Sequence, residues 1–186
     1  MTTATLEKQS SPTAFAHSPA GDLGGKYLTF RLASEEFGLA ILKVREINGV
    51  MSITAVPQMP HYMKGVINLR GKVVPVIDLR LRFGLKEAEH TEQTCIILVD
   101  VGYELGIIVD TVSEVLEVPG DQIDPPPQLG GTVDTSFILG MGKVGDAVKI
   151  LLDIDKILTV EDLNAVSTVL DLHDGPTAPG RKGTGG

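Results

Sequence analysis

Residues Gly140-Met141-Gly142-Lys143-Val144-Gly145 fit the G-x-G-x-x-G pattern that cradles a dinucleotide pyrophosphate. That chemistry needs a helix directly after the glycines, because the phosphate rests on the helix's first amides. Here residues 146–154 follow, an apolar-rich stretch that reads as a strand, so the glycines mark a flexible hairpin turn. Residues 65–73 resemble a phosphate loop but miss it twice. Five residues, not four, separate Gly65 from Gly71, and Val73 stands where a Ser or Thr would hold magnesium.

The other reactive side chains are scattered. His17, His61, His90 and His173 lie far apart, and one cysteine cannot complete a zinc site, so no metal or other cofactor is expected. Asp153 and Asp155 are two apart and would not share a helix face as an acid/base pair. Asp78 or Asp110 would have to act alone in a cleft, and both read equally well as caps or turn residues. Cys95 sits in the apolar run Cys95-Ile96-Ile97-Leu98-Val99 and reads as a small core residue. With a single cysteine no internal disulfide can form, which fits a reducing compartment. No catalytic constellation emerges, and the expectation is a protein that is not an enzyme.

What the chain does contain is one unit written twice. Phe37-Gly38-Leu39-Ala40-Ile41-Leu42-Lys43-Val44-Arg45-Glu46-Ile47 is echoed 68 residues later by Leu105-Gly106-Ile107-Ile108-Val109-Asp110-Thr111-Val112-Ser113-Glu114-Val115. Val76-Ile77-Asp78-Leu79 is echoed by Leu151-Leu152-Asp153-Ile154, and Gly71-Lys72 by Gly142-Lys143. With 186 residues, no Trp and 4% aromatics, the core must rest on Val, Ile and Leu.

Each unit reads as short strands. Leu28, Phe30 and Leu32 alternate with Thr29 and Arg31, the period of a half-buried strand. Strands are also expected at 37–41, 53–56, 66–69 and 73–77, with a tight turn at Arg70-Gly71-Lys72. Pro75 implies an edge or a bulge, and Asp78 can cap a short helix over 79–83. A polar linker covers 85–94. The second unit offers strands at 95–100, 105–109, 115–118, 137–139 and 147–152, with Pro125-Pro126-Pro127 as a stiff connector. Thr159 and Asp162 stand at capping-box spacing before a helix over 159–173, with Leu163, Val166 and Leu170 on one stripe. Residues 1–25 and 174–186 read as disordered tails. Small sheets avoid exposed edges by closing, so two five-stranded barrels side by side are expected, one over about 26–90 and one over about 91–158.

Charge separates the units. Residues 26–94 hold ten Lys/Arg and seven Asp/Glu, and residues 95–163 hold three Lys/Arg and thirteen Asp/Glu. The net charge of −8 argues against nucleic acid as a partner. No basic start with an apolar stretch opens the chain, and no run approaches the ~20 residues needed to span a bilayer. A cytoplasmic protein without direct membrane contact is expected.

Lys43-Val44-Arg45-Glu46-Ile47, then Gly65-Val66-Ile67-Asn68-Leu69-Arg70-Gly71 and Val74-Pro75-Val76-Ile77-Asp78-Leu79, together resemble the CheW-like domain family of chemotaxis coupling proteins. The similarity spans about residues 26–163 and continues through Leu105-Gly106-Ile107-Ile108-Val109-Asp110. The resemblance implies a mainly β fold of two SH3-like five-stranded barrels. It implies a scaffold that couples chemoreceptors to the histidine kinase CheA, through the receptor's signalling tip and the kinase's regulatory domain. Such a protein is monomeric alone, forms rings in arrays and is recruited to membrane-associated receptors. A receptor-facing groove maps to Ile41, Val44, Glu46, Asn68 and Arg70, with Glu46 and Arg70 as an interacting acid and base. An adaptor for a chemosensory-like pathway with another output, and a nucleotide-binding enzyme, stand as alternatives.

Overall fold

The computed structural model describes residues 23–127 and 134–171. Its elements are β1 (Gly25–Leu32), β2 (Glu35–Ala40), a 3-10 turn (Ile41–Lys43), β3 (Val44–Gly49), β4 (Met63–Leu69), β5 (Lys72–Asp78), α1 (Leu79–Arg82), β6 (Cys95–Asp100), β7 (Glu104–Val109), β8 (Thr111–Val118), β9 (Ile123–Asp124), β10 (Ile138–Val144), β11 (Ala147–Leu152) and α2 (Val160–Asp171). Apart from residues 23–25, both expected tails lie outside the described residues, as does the side chain of Leu170.

Two sheets form, in the orders β8-β1-β2-β11-β10-β9 and β3-β6-β7-β5-β4. The fold is mainly β with SH3-like subdomains, but the chain does not divide near residue 90 as expected. Each sheet takes its first hairpin from one repeat and its other strands from the other repeat. β2 runs parallel to β11, and β7 runs parallel to β5. The repeats have therefore exchanged hairpins reciprocally, and the five-strand order is the same in both sheets. Fine detail repeats as well. One extra residue in β3 at Arg45, against β6, has its counterpart in the irregularity of β8 against β1, and Lys64 in β4 has its counterpart in Leu139 of β10.

The exchange explains the recurring apolar-Gly pair. A Cβ on Gly38 would lie 2.8 Å from a Leu151 methyl, and one on Gly106 would lie 3.0 Å from a Val76 methyl. Both glycines let a donated strand approach its parallel neighbour closely. Lys149 and Glu36 form an ion pair beside the β2/β11 junction, and Lys149 is buried.

The sheets are not closed barrels. β3 and β4, the outer strands of the second sheet, share no continuous ladder, and the return is made by the chain itself. Thr54, expected within a strand at 53–56, makes a single bridge to Val66, with N···O distances of 2.8 and 2.9 Å. In the first sheet the short β9 returns to β10 in the same way. A Cβ on Gly65 would lie 2.0 Å from the Thr54 carbonyl oxygen, and one on Gly140 would lie 2.7 Å from that of Asp124. The first glycine of each look-alike, Gly65 and Gly140, thus serves strand closure, while Gly71 and Gly145 serve the hairpin turns.

Pro75 lies in β5, between β7 and β4, and so is not at an edge. Its missing N–H is tolerated because the parallel ladder to β7 starts one residue later, at Val76.

The largest core lies between the sheets. It takes Leu28, Phe30, Leu32 and Leu39 from one and Ile77, Ile97, Val99, Leu105 and Ile107 from the other. Smaller cores fill each sheet's own concavity, around Ile96, Leu98 and Val76 in one and Tyr27, Val118 and Leu151 in the other. Phe30, Phe37, Phe83 and Phe137 stack in a row, with centroids 5.8, 5.5 and 4.9 Å apart, and tie α1 to the shared core. Asp78 caps α1 through the Arg80 and Leu81 amides, as expected. Asp162 accepts from the Thr159 amide at 2.8 Å and from its hydroxyl at 2.9 Å, which is the expected cap of α2. Tyr62 also donates to buried Asp162, docking the helix, and Val166 faces the core while Leu163 is exposed. No helix among the described residues is long and apolar enough to cross a membrane.

The closure by Thr54 gives a paired prediction. Gly65→Ala, with a backbone clash and a φ of 134°, should cost ~3 kcal/mol or more in chemical denaturation. Gly49→Ala, with nothing within 4 Å of the added carbon, should stay within about 0.5 kcal/mol of the parent.

Candidate docking surface

β4 and β5 are joined by Arg70-Gly71, at φ of 52° and 86°. Two positive φ values in a two-residue hairpin loop are the type I′ arrangement, which favours Asn-Gly over Arg-Gly. The Asn68 side-chain oxygen accepts from the Gly71 amide at 2.8 Å and steadies the loop. Arginine thus occupies a position for which its backbone is poorly suited.

Its guanidinium meets Glu46 with two hydrogen bonds, at 2.6 and 3.2 Å, each to a different carboxylate oxygen. Glu46 is on β3 and Arg70 follows β4, so the pair spans the gap between the outer strands of the sheet. Arg70 is 69% exposed at its side chain and Glu46 34%. Hydrogen bonding to Arg70, helped by the charge of Arg70, holds the Glu46 carboxyl below its ordinary range against the opposing effect of desolvation. At this exposure the pair adds little to stability. Its consequence is to orient a planar donor set with N–H groups left over for a partner.

Two more ion pairs lie at the same end of the sheet. Arg45, the extra residue in β3, pairs with Asp100 at the end of β6, and Lys72 pairs with Glu104 at 2.8 Å. Asp100 also accepts from the Gly102 amide at 2.9 Å, and Arg45 and Gly102 together hold its carboxyl low.

Of the five expected receptor-facing residues, Glu46, Asn68 and Arg70 meet around the turn. Ile41 and Val44 do not join them; they are half-buried and pack on the shared core. Ile41 also lines a shallow groove of about 270 Å³ with Leu23, Tyr27, Leu42 and Leu139. Sequence reasoning missed Leu42, which is 90% exposed. It sits on the 3-10 turn, where alternation cannot say which side chain faces out. Ile47 on β3 is exposed as well.

The other chemistry-bearing residues are structural. Asp78 and Asp153 cap turns, Asp110 pairs with Arg80, and Asp155 pairs with Lys43 at 2.7 Å. Cys95 is half-buried and donates to the Gln93 carbonyl. The glycine fingerprint spans β10 and its turn into β11, with no helix following. Among the described residues no three His, Cys, Asp or Glu side chains cluster as metal ligands.

A doubled SH3-like β fold with an exposed, ion-paired sheet end defines a docking module of the adaptor class. The chain belongs to the CheW-like domain family, whose description matches residues 26–162. It is 40% identical over 152 residues to "Chemotaxis protein CheW" of Klebsiella aerogenes, covering 81% of this chain and 92% of that protein. It is 32% identical over 147 residues to "Protein FrzA" of Myxococcus xanthus, covering 76% and 90%. The crystal structure of the scaffolding protein TtCheW from Thermoanaerobacter tengcongensis superposes with a TM-score of 0.69 at 38% identity, covering 75% of this chain and 96% of that one.

The acid response of this end follows from sign. Glu46 and Asp100 titrate below their unfolded values, so their stabilisation is present above the ordinary carboxylate range and is lost as pH falls through the folded values. The melting temperature should hold from pH 7 to about pH 5 and then decline. The doubly substituted E46Q, D100N protein should show only a slightly smaller decline in the same titration, since both pairs are exposed.

Proposed function

We propose that this protein is a non-enzymatic scaffold that couples chemoreceptors to the histidine kinase CheA. The observation that carries the reading is the doubly hydrogen-bonded, exposed pair of Arg70 with Glu46 on a type I′ turn. An arginine held there at the expense of turn geometry is better explained by a partner than by folding. The receptor's signalling tip would meet Arg70, Glu46 and Asn68, with Ile41, Val44 and the exposed Leu42 supplying apolar contact. Family membership and the relatives named as chemotaxis proteins support the receptor and kinase as partners.

The kinase's regulatory domain would dock elsewhere on the two-sheet body, so that one molecule holds both partners at once. The protein acts in the cytoplasm, is monomeric alone and joins rings when receptors recruit it to membrane arrays. It needs no cofactor.

Arg70→Glu reverses the charge facing Glu46 and should abolish capture by an immobilised chemoreceptor signalling-tip fragment. Its melting temperature should match the parent, since the pair is exposed. Arg70→Asn should melt no lower than the parent, because Asn suits the turn, yet should also lose capture. Undiminished capture by both variants contradicts the assignment.

A further inference from the structure

The three ion pairs at the end of the second sheet share an arrangement that pairwise stability does not explain. In each the base is the outer member. Side-chain exposure is 56% for Arg45 against 37% for Asp100, 69% for Arg70 against 34% for Glu46, and 64% for Lys72 against 31% for Glu104. The acids form a lower tier and the bases an upper one.

Their placement on the fold is compact. Arg45 is the second residue of β3, Lys72 opens β5, and Asp100 and Glu104 flank the β6–β7 turn. Arg45, Lys72, Asp100, Tyr103 and Glu104 line one open cleft of about 380 Å³. The charge of Glu104, paired with Lys72, also acts on Arg45 and Arg70. The acids therefore hold the cations extended and ordered, and leave most of their N–H groups unspent. Arg45 meets Asp100 through one Nη, and Lys72 meets Glu104 through one of three ammonium donors.

We propose that Arg45 and Lys72 extend the Arg70 docking site into a three-cation strip that steers and selects an acidic segment of the receptor. The proposal rests on the docking reading above and adds the chemistry of what docks. A partner carrying carboxylates meets the cationic tier first, and the acids underneath repel any segment that penetrates as an anion of higher density, such as nucleic acid. Arg45 and Lys72 contribute to encounter, whereas Arg70 contributes to the bound state.

The test measures association and dissociation rates of the full chain with a purified chemoreceptor signalling-tip fragment, at ~20 mM and ~500 mM salt. For the doubly substituted R45Q, K72Q protein the association rate should fall about 5- to 20-fold at low salt and converge on the parent at high salt, with dissociation within about twofold. Lys72→Gln alone should give a smaller drop in the same direction, which preserves the test if the double variant melts early. Arg70→Glu, run beside them, reports on the underlying site: if it binds normally, the docking reading itself fails. If Arg70→Glu loses binding while R45Q, K72Q associates like the parent at both salts, the strip proposal is overturned. It is equally overturned if the double variant alters only self-association, measured by sedimentation, because the strip then serves the acidic half of a second copy.

Discussion

The core shared by the two sheets is the constraint from which everything else in this molecule follows. Hairpins β1–β2 and β6–β7 are each donated to strands of the opposite repeat. β6 and β7 lie in the middle of their sheet with buried side chains on both faces. Ile97 and Val99 face the shared core, and Ile96 and Leu98 face the sheet's own. Removing either hairpin would open two hydrophobic surfaces and strip both neighbouring strands of their partners. The repeats therefore cannot separate into two independent small domains, each of which would have too little core to stand alone.

A rigid body of this kind can hold an exposed ion pair in fixed geometry at its edge. The inner strands fix the ends of β3 and β4, and the ion pair of Arg70 with Glu46 sits where the ladder between them is missing. The duplicated position in the other sheet has been given different chemistry. The expected echo of Gly71-Lys72 in Gly142-Lys143 does not hold, because Gly142-Lys143 lies inside β10; the turn matching Arg70-Gly71 is Gly145-Asp146, and Glu114 matches Glu46, so no arginine stands at the matching turn. Exposed Val115 and Val148 lie on β8 and β11. One fold, written twice, thus carries three ion pairs with outward bases at the end of one sheet and exposed Val115 and Val148 on the other, so the two sheets present different chemistry.

The strands, caps and turns were legible from sequence because their signals are local. Arg70-Gly71 between apolar runs, Asp78 before Leu79, and Thr159 with Asp162 each name their own conformation. The hairpin exchange was not legible. The echo at 68 residues is the same whether a hairpin pairs within its own repeat or across to the other, and nothing in the pattern of Phe37-Gly38 or Leu105-Gly106 distinguishes the two. Thr29 reads as the polar face of an alternating strand, yet it is fully buried and bonded to Glu114 at a bulge, where alternation breaks. Pro75 reads as an edge or a bulge: it lies on an inner strand, beside the β4 bulge at Lys64, and its tolerance also depends on where a parallel ladder from a distant strand begins. The proposed contact residues Glu46, Asn68 and Arg70 come from family resemblance, and the exposure of Leu42 escaped because a 3-10 turn has neither period.

The proposed receptor contact, at the end of the sheet around the β4–β5 turn, is open to direct observation. Backbone amide shifts of the isotopically labelled chain, followed by NMR during titration with a receptor signalling-tip fragment, test it directly. The amides of Leu42, Glu46, Asn68, Arg70 and Gly71 should move first and furthest. Shifts confined to β8, β9 and the Gly145-Asp146 turn, with those five unmoved, would contradict it.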